Sequence, residues 1–237
     1  TQAGTRGNTD VIGNHLQRMH GFEHGYRSQS VKKAYVVHNT LWKDIGVVKT
    51  CFTIRGHTEQ NVVAFNRLAN HHGFAPANNG VLSFVHHCLG DSNILTSGFG
   101  FGGQHLVLRR NRMHYEPLER TPGKPFAQSS STFLSLGSHM DWPGVCEYIR
   151  VYDNVYHGSG PFVRGPGNDV SIHDNTMVMV NPHLRADRFH GFFYIPHEQE
   201  ELRSGRNHYH AINRRTGKPL GLIEWLKARQ ATGQDAN

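Results

Sequence analysis

An all-β chain wound as a right-handed parallel β-helix (a solenoid), with an inward asparagine ladder and a short C-terminal helix, is the fold this sequence predicts. Three observations predict it. An asparagine recurs inside apolar, β-branched stretches; the recurrences share one local pattern; and their spacing suits one turn of such a coil. Asparagine is depleted from strands and costs free energy when buried without partners. A single case, Asn39 in "AYVVHNTLW" (Ala34 to Trp42), would therefore carry little weight. There are six.

They are "VIGNHL" (Val11 to Leu16), "VVHNTL" (Val36 to Leu41), "VAFNRL" (Val63 to Leu68), "LRRNRM" (Leu108 to Met113), "VYDNVY" (Val151 to Tyr156) and "IHDNTM" (Ile172 to Met177). In each, an aliphatic residue stands three before the asparagine and a Leu, Met or Tyr two after it. The intervals are 25, 27, 45, 43 and 21 residues, and the two long ones read as double units. In the first long gap Cys88, with Val85 three before it, stands where an asparagine is expected and marks an interruption of the ladder. Repeats this short exclude paired helices, the leucine-dense consensus of leucine-rich repeats is missing, and the flanking Val, Ile, Thr and Tyr favour strands. What remains is a coil of short strands and turns. At one bend of it, side-chain amides stack on those of the coils above and below and satisfy one another.

The other elements follow from that frame. With 237 residues and 37% apolar side chains the chain supports a sizeable core as a single domain. No run of about 18 apolar residues suggests membrane insertion and no charged-then-apolar segment opens the chain. The first strand starts within ten residues of Thr1, which leaves no room for a polar cap and suggests a segment of a longer chain. Near the other end, "PLGLIEWLKARQATG" sets Leu222, Trp225, Leu226 and Arg229 at helical spacing before Gly233, so a helix over 219–232 is expected on or near the solenoid. Long insertions at Glu116 to Ser131 and His183 to His190 read as loops on the scaffold. "GFGFGG" (Gly98 to Gly103) lacks a phosphate loop's lysine and reads as tight bends. Cys51, Cys88 and Cys146 form no metal or disulfide pattern and read as small core residues.

The repeats resemble those of the right-handed parallel β-helix family, which includes polysaccharide lyases, pectin-modifying enzymes, alginate epimerases and phage tailspikes; the resemblance covers about residues 9 to 210. It implies a secreted, periplasmic or cell-surface protein. The segment "YIPHEQ" (Tyr194 to Gln199) is similar to the Asp-Pro-His-Glu or Asp-Pro-His-Asp motif of mannuronan C5-epimerases, with Ile195 where that motif has aspartate. The resemblance makes His197 a catalytic candidate.

A formal net charge of +7, with 19 histidines besides, favours an anionic partner. The basic residues are scattered rather than gathered in a tail, which gives nucleic acid no special claim. Arg55 and Arg164 each stand eleven residues before an asparagine, Arg27 twelve before Asn39, and His197 ten before Asn207, a seventh, weaker match to the repeat. Equivalent positions of successive coils lie about 4.8 Å apart, so these four would form an interrupted basic column, with His57 beside Arg55. An acidic polysaccharide lying along it would compensate the charge. Glu23, Glu59, Asp169 and Glu198 would do the same locally. Arg67, Arg112, His114 and His157 form a second outward stripe for substrate.

Cleaving or epimerising a uronate polymer requires neutralising its carboxylate and removing the C5 proton, which Arg55, Arg164 and His197 could do as catalytic residues. Two other readings stand: a noncatalytic adhesin or spike module that only binds, and a glycoside hydrolase drawing on Asp141, Glu147, Asp153, Asp169 and Asp174. Asp153 and Asp174, just before asparagines, also read as caps of bends. His71-His72 and His86-His87 lack metal spacing. No metal site or cofactor is assigned, with Ca2+ left open because loops and backbone carbonyls supply its ligands.

Overall fold

The structure, a computed structural model, describes residues 2–3, 7–19, 25–29, 31–43, 50–70, 80–115, 132–137, 145–181, 191–195, 202–213, 216–219 and 221–235. Among these residues the chain is mostly β: a sheet of thirteen strands, a sheet of eight, and a helix, Leu222–Ala231. All pairing within the sheets is parallel and joins residues one repeat apart. Val36 lies between Val11 and Val63, and Leu108 between Gly90 and Val151. The strands that follow each asparagine stack in chain order in the second sheet, from His15–Met19 to His208–Asn213.

The residue immediately before each asparagine has a positive φ: Gly13, His38, Phe65, Ser92, Arg110, Asp153, Asp174 and Arg206. That left-handed residue ends a strand of the first sheet, and the asparagine precedes a strand of the second. Each asparagine from Asn14 onward donates its backbone N–H and one side-chain N–H to the Oδ1 of the next, through Asn39, Asn66, Asn93, Asn111, Asn154, Asn175 and Asn207, at 2.8 to 3.0 Å. The amides also reach backbone carbonyls, as from Asn66 Nδ2 to Val36 O. Burial of Asn39 through Asn175 is thus matched by hydrogen bonds.

Two expectations about the repeat are corrected. The series is not interrupted at Cys88, because Asn93 is its missing member. Gly90 stands three before Asn93 where the repeats of Asn14, Asn39, Asn66, Asn111, Asn154 and Asn175 are aliphatic, and a Cβ there would lie 2.4 Å from a Leu108 methyl, which fills the space instead. Cys88 is buried two residues before Gly90 in the strand Gly80–Asp91, in register with Asn61 and Leu106. It accepts a hydrogen bond from Asn61 at 3.4 Å, and burial pushes its thiol up to about 12. The 43-residue interval is one repeat rather than two, since Asn111 donates directly to Asn154.

Inward side chains stack in the same register. Tyr26, Phe52, Gly80, Phe99, Leu134, Val163 and Phe193 occupy one column. Gly80 belongs there because the Phe52 ring takes its space, 2.1 Å from where a Cβ would stand. Burying each phenylalanine contributes about 1.5–3 kcal/mol. "GFGFGG" is not a set of bends but the start of the strand Phe99–Arg109. A Cβ at Gly98 or Gly103 would come 2.0 Å from the carbonyl oxygen of Phe133 or Val85, so these glycines allow close backbone approach.

The helix starts later than expected: Pro219 pairs with Ile212 in an antiparallel bridge, and Leu222 begins the helix. Trp225 packs against Phe192, Phe193 and Tyr209 with ring centroids 5.1 to 5.8 Å apart. Arg229 is buried against Asp235 at 2.7 Å. Asp235 also accepts from the Tyr209 hydroxyl and the Asn207 amide, so the last asparagine of the column donates to a carboxylate. No described helix is long and apolar enough to cross a membrane.

Candidate functional site

Six residues before the asparagines stand Gln60, His87, His105, Tyr148 and Asp169, and each has left-handed backbone, with φ between 49 and 59°. The shared conformation sets the three central rings in a stack on the first sheet. His87 and His105 lie 4.4 Å apart at 6°, and His105 and Tyr148 4.5 Å apart at 11°. His105 has both faces covered, and His87 and Tyr148 turn one face each to it. What they present to a ligand is their edges, with imidazole nitrogens and a phenol hydroxyl.

These rings line a groove of about 630 Å³. Val62, Leu89 and Val107, neighbours in one register column, give it an apolar floor, and Arg150 continues that column. Arg109 and Tyr152, paired in register, lie beside it.

Two charge clusters flank the groove. Asp91 accepts from Arg109 Nε at 2.8 Å and Arg110 Nε at 2.9 Å. Asp169 accepts from Arg150 and Arg203, both at 2.6 Å. Two guanidiniums share each carboxylate, so each cluster keeps a positive charge. Burial pushes the Asp91 carboxyl up, but hydrogen bonds from Arg110, Ser92 and Arg109 outweigh it and bring it down to about 2. The hydrogen bond from Arg150 is the main cause holding Asp169 below the usual carboxylate range. Burial, then the neighbouring His87 and His86, lowers His105, which favours neutral imidazole. That arrangement can pair an anion with arginine and offer it a neutral base and a hydroxyl.

Among the described residues, Arg27, Arg55 and Arg164 do not share one column. Arg27 and Arg164 fall in one register column, but Thr53, Val81, Gly100 and Ser135 separate them, a span of about 24 Å at ~4.8 Å per step. Arg55 lies in another column, in register with Gln29 and Ser83. The reason is the register shifts between Arg55 and Thr58 and between Gly102 and Gly103: counting back from the asparagine across them does not preserve alignment. Arg164 is exposed and donates to Ser135 Oγ at 3.1 Å. Asp169, expected to neutralise it, instead holds Arg150 and Arg203. His197, Glu23, Glu198 and both long insertions lie outside the described residues, as does the side chain of His57.

The second stripe is on the second sheet. Arg67 and Arg112 flank Ile94 in register, and His114 lies beside His157 with rings 4.5 Å apart. Among the described residues no group of three His, Cys, Asp or Glu could hold a metal ion.

Sequence reasoning missed His87, His105, Arg109, Tyr148 and Arg150 as a group. The constant six-residue offset would have found the rings, but His87 joins it only once Asn93 is counted. No known protein family, curated protein or solved structure matches this chain.

Proposed function

We propose that the two sheets are walls of a right-handed parallel β-helix that binds a uronate-containing polysaccharide in the groove and acts on it by abstracting the C5 proton. Parallel pairing of residues one repeat apart and the column of asparagine amides support the coil. The observation that carries the activity is the His105–Tyr148 stack set beside Arg150 and Arg109, whose clusters hold two arginines per aspartate.

In this reading the substrate carboxylate pairs with Arg150, which spreads charge away from C5 and acidifies its proton. Neutral His105 takes that proton. The electron pair of the broken C5–H bond forms the C4=C5 double bond as the C4–O bond breaks, and Tyr148 donates its proton to the leaving oxygen. Epimerisation is the same first step followed by return of a proton to the opposite face of C5. Hydrolysis is less well supported: it needs a protonated carboxylic acid, whereas arginines hold Asp91, Asp169 and Asp174 ionised. A secreted, periplasmic or cell-surface setting would give the chain access to such a polymer.

The test is ultraviolet absorbance of unsaturated uronate over alginate, pectate, glucuronan and heparin-like polymers, alongside C5 proton exchange. A rise in absorbance identifies a lyase, and exchange without cleavage an epimerase. Binding with neither leaves the adhesin reading in place of the enzyme.

A further inference from the structure

We infer that the outward face of the second sheet is a separate binding surface for a linear anionic glycan. Its eight strands contain no Asp or Glu, while its outward positions carry Arg67 and Arg112 with five histidines, His15, His114, His157, His208 and His210. In the first sheet, by contrast, Asp91 pairs with Arg109 and Arg110, and Asp169 with Arg150 and Arg203. Among the described residues Arg67 and Arg112 are exposed and no ion pair engages them.

Register gives the surface its shape. Arg67 and Arg112 lie two steps apart, about 10 Å, in a column that runs from His15 to His208. The neighbouring outward column carries His114 beside His157, with His210 two steps beyond. Trp42, 40% exposed, stands near the column's other end. The cations therefore stand in file along the register of the sheet, which fits a linear polymer carrying one anionic group per sugar or per pair of sugars.

Other polyanions fit less well. Single-stranded nucleic acid is held by successive bases stacked on a run of aromatic faces, whereas His114 and His157 turn one face each to the other and Trp42 stands apart from them near the other end of the column. An anionic bilayer is met by clustered cations or an inserted amphipathic element, whereas here isolated arginines alternate with Ile94 and Val155 along one column. The site differs from the groove in location and needs no chemistry from it.

The test is calorimetric titration of a heparin-derived oligosaccharide into an Arg150→Ala protein and into the same protein carrying Arg67→Glu and Arg112→Glu. Losing two charge-assisted contacts should weaken binding by at least about tenfold and flatten its salt dependence, with the melting temperature unchanged. Arg67→Gln with Arg112→Gln gives the same readout should charge reversal impair folding. Unchanged affinity in a folded double variant overturns the inference. So does tighter binding of single-stranded DNA or phosphatidylserine vesicles than of the glycan to this face. Failure of the groove reading is distinct: Arg150→Ala alone would then leave uronate handling unchanged while the second-sheet variants still lost the glycan.

Discussion

In the first sheet, Asp91 and Asp169 each hold two arginines beside a groove. In the second, eight strands built from the same repeats and the same pairing carry no carboxylate at all. The two surfaces share a scaffold and differ in what is hung on it. In the first sheet, left-handed residues six before the asparagines bring His87, His105 and Tyr148 into contact and convert a flat surface into a groove. From Arg67 to His208 the short strands of the second sheet pair without a register shift. A regular repeat supplies positions; departures from regularity supply a chemical site.

The largest expected effect separates the two faces by chemistry. His105→Ala or Tyr148→Phe should lower turnover of the preferred uronate polymer about 10²- to 10⁴-fold and leave glycan binding at the second sheet untouched. Because His105 is held below the ordinary imidazole value of about 6.5, the base form persists into mild acid. The acidic limb of kcat/KM should therefore fall below that pH, and the His105→Ala protein should lose the limb.

Next comes the asparagine column that joins both sheets. Asn111→Ala removes an acceptor for Asn93 and donors to Gly90 O, Arg109 O and Asn154, all buried or half-buried. It should cost on the order of 3 kcal/mol in denaturant unfolding, against under about 1 kcal/mol for exposed Asn14→Ala. Equal costs at the two positions would mean that the amides merely decorate turns.

Acid sharpens the contrast between the sheets. The Asp91 carboxyl is depressed to about 2, below the ordinary value of about 3.9, so its stabilising effect is complete above pH 4 and is lost as pH falls toward 2. Unfolding followed across that window should show the loss in the native chain and a flatter profile in Asp91→Asn. The smallest effect belongs to Arg164→Ala. Its exposed guanidinium donates to Ser135 Oγ at the surface, where water can replace the bond, so stability should change by less than about 0.5 kcal/mol and turnover not at all.

The repeat was legible because six of the eight stacked amides have the same neighbours: an aliphatic three before and a large apolar residue two after. Asn93 escaped that filter because Leu108 from the next repeat fills the space over Gly90. The C-terminal helix was legible from its spacing, although burial of Arg229 against Asp235 was not, since that pair joins the helix to the segment after it. The groove was hidden for a different reason. Gln60, His87, His105, Tyr148 and Asp169 share a backbone conformation rather than a side-chain chemistry, so only their six-residue offset, with Asn93 counted, picks them out. Arg55 and Arg164 showed the converse error, equal offsets in sequence separated in space by register shifts.

The most direct test of the proposed chemistry is the proton spectrum of uronate polymers incubated with the chain in D2O. Elimination removes the C5 proton and epimerisation exchanges it for deuterium, so the C5–H signal of at least one polymer should be lost, and His105→Ala should abolish that loss. A C5–H signal that stays constant in every polymer the chain binds would contradict C5 proton abstraction in the groove.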